Sequence, residues 1–497
     1  MRCASSGEDA APGGSGGGAS GSNGAGGSDR GGSAGTSGSA SGSSGSAGSA
    51  AGSGTGGTPS GGTGGGGAAG TGTGGSAGAP TACDGDCHYV RADASGANDG
   101  SSWNDAYTEL PDALVRGQTY FVAAGDYPDY DFDDAEAGSA RIRVLRATTS
   151  DHGDGAGWQD AYASGEAVFG ELVFETGNYD FEGRSALRAV GGFEGTVVSI
   201  EGDGVVFRGV DVDGAFATAS NRHSAGACTG MNVSGNGVTV AESHVHDIAD
   251  DGVVVGGNTG FVFEGNEIDS LFGCGTDSDC GLCDNGHSDG LEIYAVHDSR
   301  FARNYAHDIA STSTFFFGNW ADELGDGPAD YCENIRLENN VLYNPDTGFV
   351  IYLEDVRGVT LVHNTIWGKH DGAYGGLAVG VNVSGLTLVN NVILSVNYSH
   401  LMSTFDAAEH HGDYNLFGKS LGQWHDAAHD LVANDPGFVG IGNGDAPKLD
   451  GAVPGDFAPE AASPLRGAGT SDAAYELPTT DFSGAPRGSP PTIGAFE

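Results

Sequence analysis

Three short stretches of this sequence gather residue types that can move protons or hold cations. They are His287-Ser-Asp289-Gly-Leu-Glu292-Ile-Tyr294, His246-Asp247-Ile-Ala-Asp250-Asp251-Gly252 and His307-Asp308. Histidine titrates near neutrality, carboxylates and phenols serve as acids or bases when their environment shifts them, and clustered aspartates bind hard cations such as Ca²⁺. His246, His287, Asp289, Glu292, Tyr294, Tyr305 and His307 are therefore the candidate catalytic residues. Asp250, Asp251 and Asp289 are the candidate calcium ligands. A plainer origin for each Asp before Gly is turn chemistry, which an acidic sequence supplies everywhere.

These residues recur because the chain repeats. The repeated unit is an apolar residue, two variable residues, Asn, one variable residue and an apolar residue, followed by a Gly-bounded apolar strand. Its copies are Phe263-Glu-Gly-Asn266-Glu-Ile268, Phe301-Ala-Arg-Asn304-Tyr-Ala306, Leu337-Glu-Asn-Asn340-Val-Leu342, Leu361-Val-His-Asn364-Thr-Ile366 and Leu388-Val-Asn-Asn391-Val-Ile393. Degenerate copies put Val210 and Ser243 at the Asn position, and successive intervals from Val210 are 33, 23, 38, 36, 24 and 27 residues. Such spacing fits a coil of about 23 residues with insertions confined to turns. Each coil reads as three short strands, roughly 260–265, 267–269 and 290–295 around Asn266, and the stacked Asn residues form an internal amide ladder with a structural role.

Alternation assigns the outward side chains. After the ladder they are His244 and His246, Glu267 and Asp269, Tyr305 and His307, Val341 and Tyr343, then Thr365 and Trp367. On the following strand they are Asn232 and Ser234, Val254 and Gly256, Glu292 and Tyr294, Phe316 and Gly318, then Val350 and Tyr352. The largest turn insertions, 214–229, 270–288 and 319–333, wall a groove beside these coils. His244, Phe316, Trp320, Tyr343, Tyr352 and Trp367 are the candidate substrate-binding residues, the aromatics as stacking platforms, with Phe315 and Phe317 in the core. Carboxylates on adjacent coils, about 4.8 Å apart, match the roughly 5 Å of a retaining glycosidase.

The repeat resembles that of the right-handed parallel β-helix, pectate-lyase-like superfamily. The stretch around Trp103 is similar to the start of such exported proteins, and Asp435-Pro-Gly-Phe438, Ser463-Pro-Leu, Asp481-Phe-Ser-Gly-Ala-Pro-Arg487 and Ile493-Gly-Ala-Phe-Glu497 are similar to their C-terminal cap. The resemblance implies an all-β, three-strand-per-coil solenoid over about 83–497, with a short capping helix before Leu114, acting on a polysaccharide. β-Elimination from a uronate-containing glycan is the leading expectation: His246 or His287 is the base, Tyr294 or Tyr305 the acid, and Ca²⁺ neutralises the uronate. Hydrolysis by paired carboxylates and non-catalytic glycan binding by an adhesive surface protein are the alternatives. The catalytic arginine of pectate lyases has no clear counterpart, Arg300 and Arg303 being the nearest bases.

Composition sets outer limits. The 497 residues carry 91 Gly and a formal charge of −47, and residues 1–82 hold only Arg2, Arg30, Glu8, Asp9 and Asp29 as charges. A body this acidic repels nucleic acid, and it takes up a polyanionic glycan only through a bridging cation. No apolar run approaches the roughly 18 residues of a membrane span. The expected organisation is a disordered tether over 1–82, a cap and first coils over 83–195, the central solenoid over 196–400, and last coils with a C-terminal cap over 401–497. Met1-Arg2-Cys3 followed by this tether looks like the start of a mature bacterial lipoprotein, with Cys3 lipidated and the monomeric body displayed at the outer surface. Cys83 and Cys87 are expected to close a small disulfide loop. Cys274, Cys280, Cys283 and His287 have spacings that could instead wrap Zn²⁺, a less favoured option, and Asp277-Ser-Asp279-Cys-Gly281 resembles a calcium loop weakly.

Overall fold

The computed structural model describes residues 86–149, 156–192, 195–215, 226–272, 288–310, 312–318, 331–344, 348–368, 375–395, 410–418, 428–433, 435–442 and 451–497. Cys3, Cys83, Cys274, Asp277, Asp279, Cys280, Gly281, Cys283, His287 and Trp320 lie outside these residues, so the readings of lipidation, zinc, the calcium-like loop and the Cys83 loop rest on sequence alone.

Every pair of named strands is parallel, as stacking of like segments from coil to coil requires. One face of the solenoid is a nine-stranded sheet that includes Thr196–Ile200, Thr229–Val233, Val253–Gly256, Asp289–Tyr294, Ser313–Gly318, Phe349–Leu353 and Leu377–Val379. The other two faces form a continuous sheet, because the long strands Tyr179–Val190 and Val206–Asp213 run through both. The core is a set of vertical columns. Val198, Met231, Val253, Leu291, Phe315, Ile351 and Leu377 stand in register and are all buried. One residue further along, Ser199, Asn232, Val254, Glu292, Phe316, Tyr352 and Ala378 form the opposite column, so the period of two places Glu292 and its aromatic neighbours outside.

The Asn ladder runs as the repeat predicts and extends beyond it. Asn304 Oδ1 accepts the Asn266 backbone N–H at 3.0 Å, and the same bond recurs from Asn340 to Asn304, Asn364 to Asn340, Asn391 to Asn364 and Asn415 to Asn391. Asp430 ends it by accepting from Asn415 at 2.8 Å, and Ser243 begins it by donating to Asn266 at 2.9 Å. Each Asn follows a residue in the left-handed region, among them Arg303 at φ 54° and His363 at φ 57°. The ladder amides hold these turns by satisfying backbone groups that no water reaches.

Two expectations need correction. The stretch before Leu114 is not a helix. Side chains bind its turns, Asp105 accepting from Ala97 N–H and Asn98 from Thr108 N–H, while Pro111 removes a backbone donor. Trp103 still caps the solenoid, fully buried against Tyr89. Among the described residues the only helical segments are 3₁₀ turns, Asp160–Ala163, Pro454–Phe457 and Ala473–Tyr475. Second, the C-terminal segment does more than close the last coil. It packs Phe438, Ile441, Phe457, Leu465 and Ile493 over Tyr305, Val341, Tyr343 and Trp367.

Candidate functional site

On the nine-stranded face, Asp250 and Asp251 occupy the turn into Val253–Gly256, and Asp289 begins the next strand. Their spacing follows from glycine. A Cβ on Gly230 would meet the Gly252 carbonyl oxygen at 2.4 Å, and one on Gly252 would meet that of Gly290 at 2.6 Å, so these coils stack this closely only with Gly in this column. The Asp289 N–H donates to Asp251 Oδ1 at 2.8 Å across the two coils. Asp250, Asp251, Asp289 and Glu292 are 7, 6, 2 and 7 % exposed, too buried for carboxylates that merely decorate a surface. Burial first, then the charges of Glu292, Asp250 and Asp289, push the Asp251 carboxyl well above the usual range.

Tyr294, half-buried, hydrogen bonds to Glu292, and burial together with that carboxylate pushes its phenol upward. An aromatic strip leads away from it. Tyr294 and Phe316 have ring centroids 5.9 Å apart, Phe316 and Tyr352 5.5 Å, and Tyr352 stacks on Phe349 at 4.9 Å. The structure thus brings Asp250, Asp251, Asp289, Glu292, Tyr294, Phe316 and Tyr352 onto one face. The donor set is all oxygen, the ligand type a hard divalent cation takes. Val350, expected outside, is buried.

The histidines lie on the neighbouring face. His244 and His246 stack at 4.3 Å between ring centroids. His246 bonds Asp211 through Nε2 and Asp247 through Nδ1, both at 2.8 Å, and His244 Nε2 bonds Asp269 at 2.6 Å. His307 bonds Asp308 through Nδ1 at 2.8 Å and approaches Glu267 at 3.4 Å. Burial alone would lower both His246 and His307, but their carboxylate partners raise each to about 9. Both ring nitrogens of His246 and of His307 face carboxylates on this neighbouring face, which takes them away from the base role in the cleft. Asp211 was not anticipated as a site residue. Its signal was present in its place one coil before His244, directly after the degenerate ladder residue Val210.

Tyr305, Tyr343 and Trp367 point out of the solenoid as alternation requires, but they are 4, 0 and 1 % exposed beneath the C-terminal segment. Tyr305 Oη donates to the Ala452 carbonyl, and Tyr343 packs on Phe457 at 5.4 Å. This corrects their reading as catalytic acid and sugar platforms: they are the apolar bed of the cap. Arg300 is spent between Glu264 and Glu338, and Arg303 on Glu264, so both tie coils together. Cys332 is a free, buried thiol.

Residues 229–393 match the family profile described as right handed beta helix region. No curated protein matches the chain in sequence. Among solved structures, the chain is similar to pectate lyase Pel9A, with 17% identity, a TM-score of 0.50, and coverage of 83% of this chain and 96% of that one. A rhamnogalacturonan lyase (12% identity, TM-score 0.38, 81% and 99% covered) and PfbA, a surface adhesin of Streptococcus pneumoniae (12%, 0.32, 56% and 77%), are too distant to carry an argument. Stacked parallel coils, an internal Asn ladder, the profile match and the Pel9A likeness together make the described chain a right-handed parallel β-helix.

Proposed function

We propose that the protein is an extracellular, calcium-dependent polysaccharide lyase whose cleft is the nine-stranded face around Asp251. The observation that carries this reading is the burial of Asp250, Asp251, Asp289 and Glu292 together, with Asp251 raised by that burial first and then by the other three. An all-carboxylate set of oxygen donors is the ligand chemistry that Ca²⁺ takes. Asp250, Asp251 and Asp289, with Glu292 beside them, are the residues that would hold Ca²⁺. The ion would supply positive charge opposite a uronate carboxylate and so let a chain of formal charge −47 accept an acidic glycan.

Phe316 and Tyr352 then bind sugar rings by stacking, which orients the chain along the coils. Tyr294, kept protonated by burial and by its bond to Glu292, is the candidate donor of a proton to the leaving oxygen. With His246 engaged by Asp211 and Asp247 on the neighbouring face, His287 remains the candidate base from the sequence. The likeness to a pectate lyase is one of fold, and the reading stands on these residues.

A specific observation also favours hydrolysis as the second reading. A carboxyl raised like Asp251, with the Asp289 and Glu292 carboxylates as neighbours, is the kind of carboxylate pairing that glycosidases use. The protein incubated with uronate-containing and neutral polysaccharides, with and without chelator, separates the readings. Ultraviolet absorbance of an unsaturated uronate product that disappears with chelator supports the lyase. Reducing ends without that absorbance assign a hydrolase, and binding without cleavage assigns an adhesive protein.

A further inference from the structure

We propose that Asp211, His244 and His246 form a second cation site, on the face beside the cleft, for a divalent transition ion of the zinc class. Residues 244 and 246 are two apart on the strand His244–His246, so both rings leave the same side of it. The parallel pairing Asp211↔His244 sets the carboxylate one coil below them. Asp211 Oδ1 lies 2.8 Å from His246 Nε2 and 3.6 Å from His244 Nδ1, and one ligand atom from each of the three residues falls within 4.8 Å of the others. Bonds of about 2.0–2.1 Å in tetrahedral geometry put ligand atoms roughly 3.3 Å apart, between the two separations seen.

The outer partners are already arranged as such a site needs. His244 Nε2 bonds Asp269 at 2.6 Å, leaving Nδ1 toward Asp211, and His246 Nδ1 bonds Asp247 at 2.8 Å, leaving Nε2 toward Asp211. Arg188 Nε donates to Asp211 Oδ2 at 2.9 Å, so Oδ1 is the oxygen turned to the two rings. Each ligand is thus fixed by one partner on its far side, the carboxylate–histidine–metal arrangement that sets tautomer and ring orientation. Asp213 and Glu267 face the same group and add negative charge. Side-chain exposures of 27, 39 and 17 % for Asp211, His244 and His246 let an ion in from solvent and leave room for water as a further ligand. Two imidazoles and one carboxylate prefer Zn²⁺ or Co²⁺ over Ca²⁺, which distinguishes this site from the all-oxygen cleft.

Equilibrium dialysis of the full chain against Zn²⁺ in excess Ca²⁺, with bound zinc counted, tests the site. The wild type is expected to hold one equivalent more than His244→Ala or His246→Asn, and the Co²⁺ form to show visible d–d bands that both variants lose. Asp269→Asn and Asp247→Asn, which touch no metal, are expected to weaken binding about tenfold to a hundredfold. Metal-free thermal unfolding of each variant separates lost binding from lost folding, and the Asn replacements at 247 and 269 keep the test alive if a His variant does not fold. Equal zinc in the wild type and all four variants overturns the proposal, because the cluster is then a hydrogen-bonded ladder only. Zinc that disappears on alkylation of the cysteines but persists in His246→Asn overturns it as well.

Discussion

Replacing Asp251 by Asn removes one charge from the cleft while keeping the oxygen that accepts the Asp289 N–H. Two unit charges about 5 Å apart at an effective dielectric of about 20 repel by roughly 3 kcal/mol, and Asp251 meets three carboxylates. Proton uptake by Asp251 relieves part of this, so the variant should be more stable than the wild type by about 2–3 kcal/mol in chelator near pH 8. The sign follows from the raised carboxyl. The wild type loses stability as pH rises from the ordinary carboxylate range up to the elevated folded value, because the folded state binds the proton more tightly than the unfolded chain. The advantage of Asp251→Asn should therefore shrink as pH falls through the ordinary carboxylate range and vanish toward about pH 2.5, where Asp251 is protonated in both states. Calcium offsets this difference: at a hundredfold excess over Kd the wild type gains about 2.7 kcal/mol and the variant much less. Urea unfolding followed by circular dichroism, with chelator and with calcium, measures both differences. Equal stability of the two proteins in chelator near pH 8, or equal gain from calcium, would refute the crowded-carboxylate account.

Other regions give sharper structural tests. Asn364→Ala deletes the acceptor of the Asn340 N–H and the donor to the Leu337 carbonyl, two buried groups left unpaired, for a loss of about 4 kcal/mol in urea unfolding. Phe316→Ala removes a stacking platform worth about 1 kcal/mol, so KM for polysaccharide should rise about fivefold while kcat holds in steady-state kinetics. Phe457→Ala takes away the ring that packs on Tyr343 and Phe438, and should cost about 3 kcal/mol. Faster hydrogen exchange in Pro454–Phe457 with Val341–Asn344 unchanged would show that the cap, rather than the solenoid, has loosened.

The solenoid was legible because its information is periodic. Asn266, Asn304, Asn340, Asn364 and Asn391 fix the register, and alternation from each of them turns Glu292, Phe316 and Tyr352 outward. Asp250, Asp251 and Asp289 were legible for the same reason, since Gly252 and Gly290 mark equivalent turns on successive coils. What alternation cannot carry is long-range cover. Tyr305, Tyr343 and Trp367 face outward, yet their neighbours are Ala452, Phe457 and Phe438, whose sequence has no repeat to place them. The histidine face shows the complementary limit. His244 and His246 were visible, but their meaning depends on Asp211 and Asp269, set by strand pairing across coils of unequal length.

The central claim is that the carboxylates of the nine-stranded face hold the calcium on which glycan cleavage depends. Its most direct test is a calcium titration of chelator-treated wild type and Asp289→Asn, with absorbance of the unsaturated product from a uronate-containing polysaccharide followed over time. The account predicts that calcium restores elimination in the wild type and fails to restore it in the variant. Undiminished elimination in chelator, or equal recovery by Asp289→Asn, would contradict it.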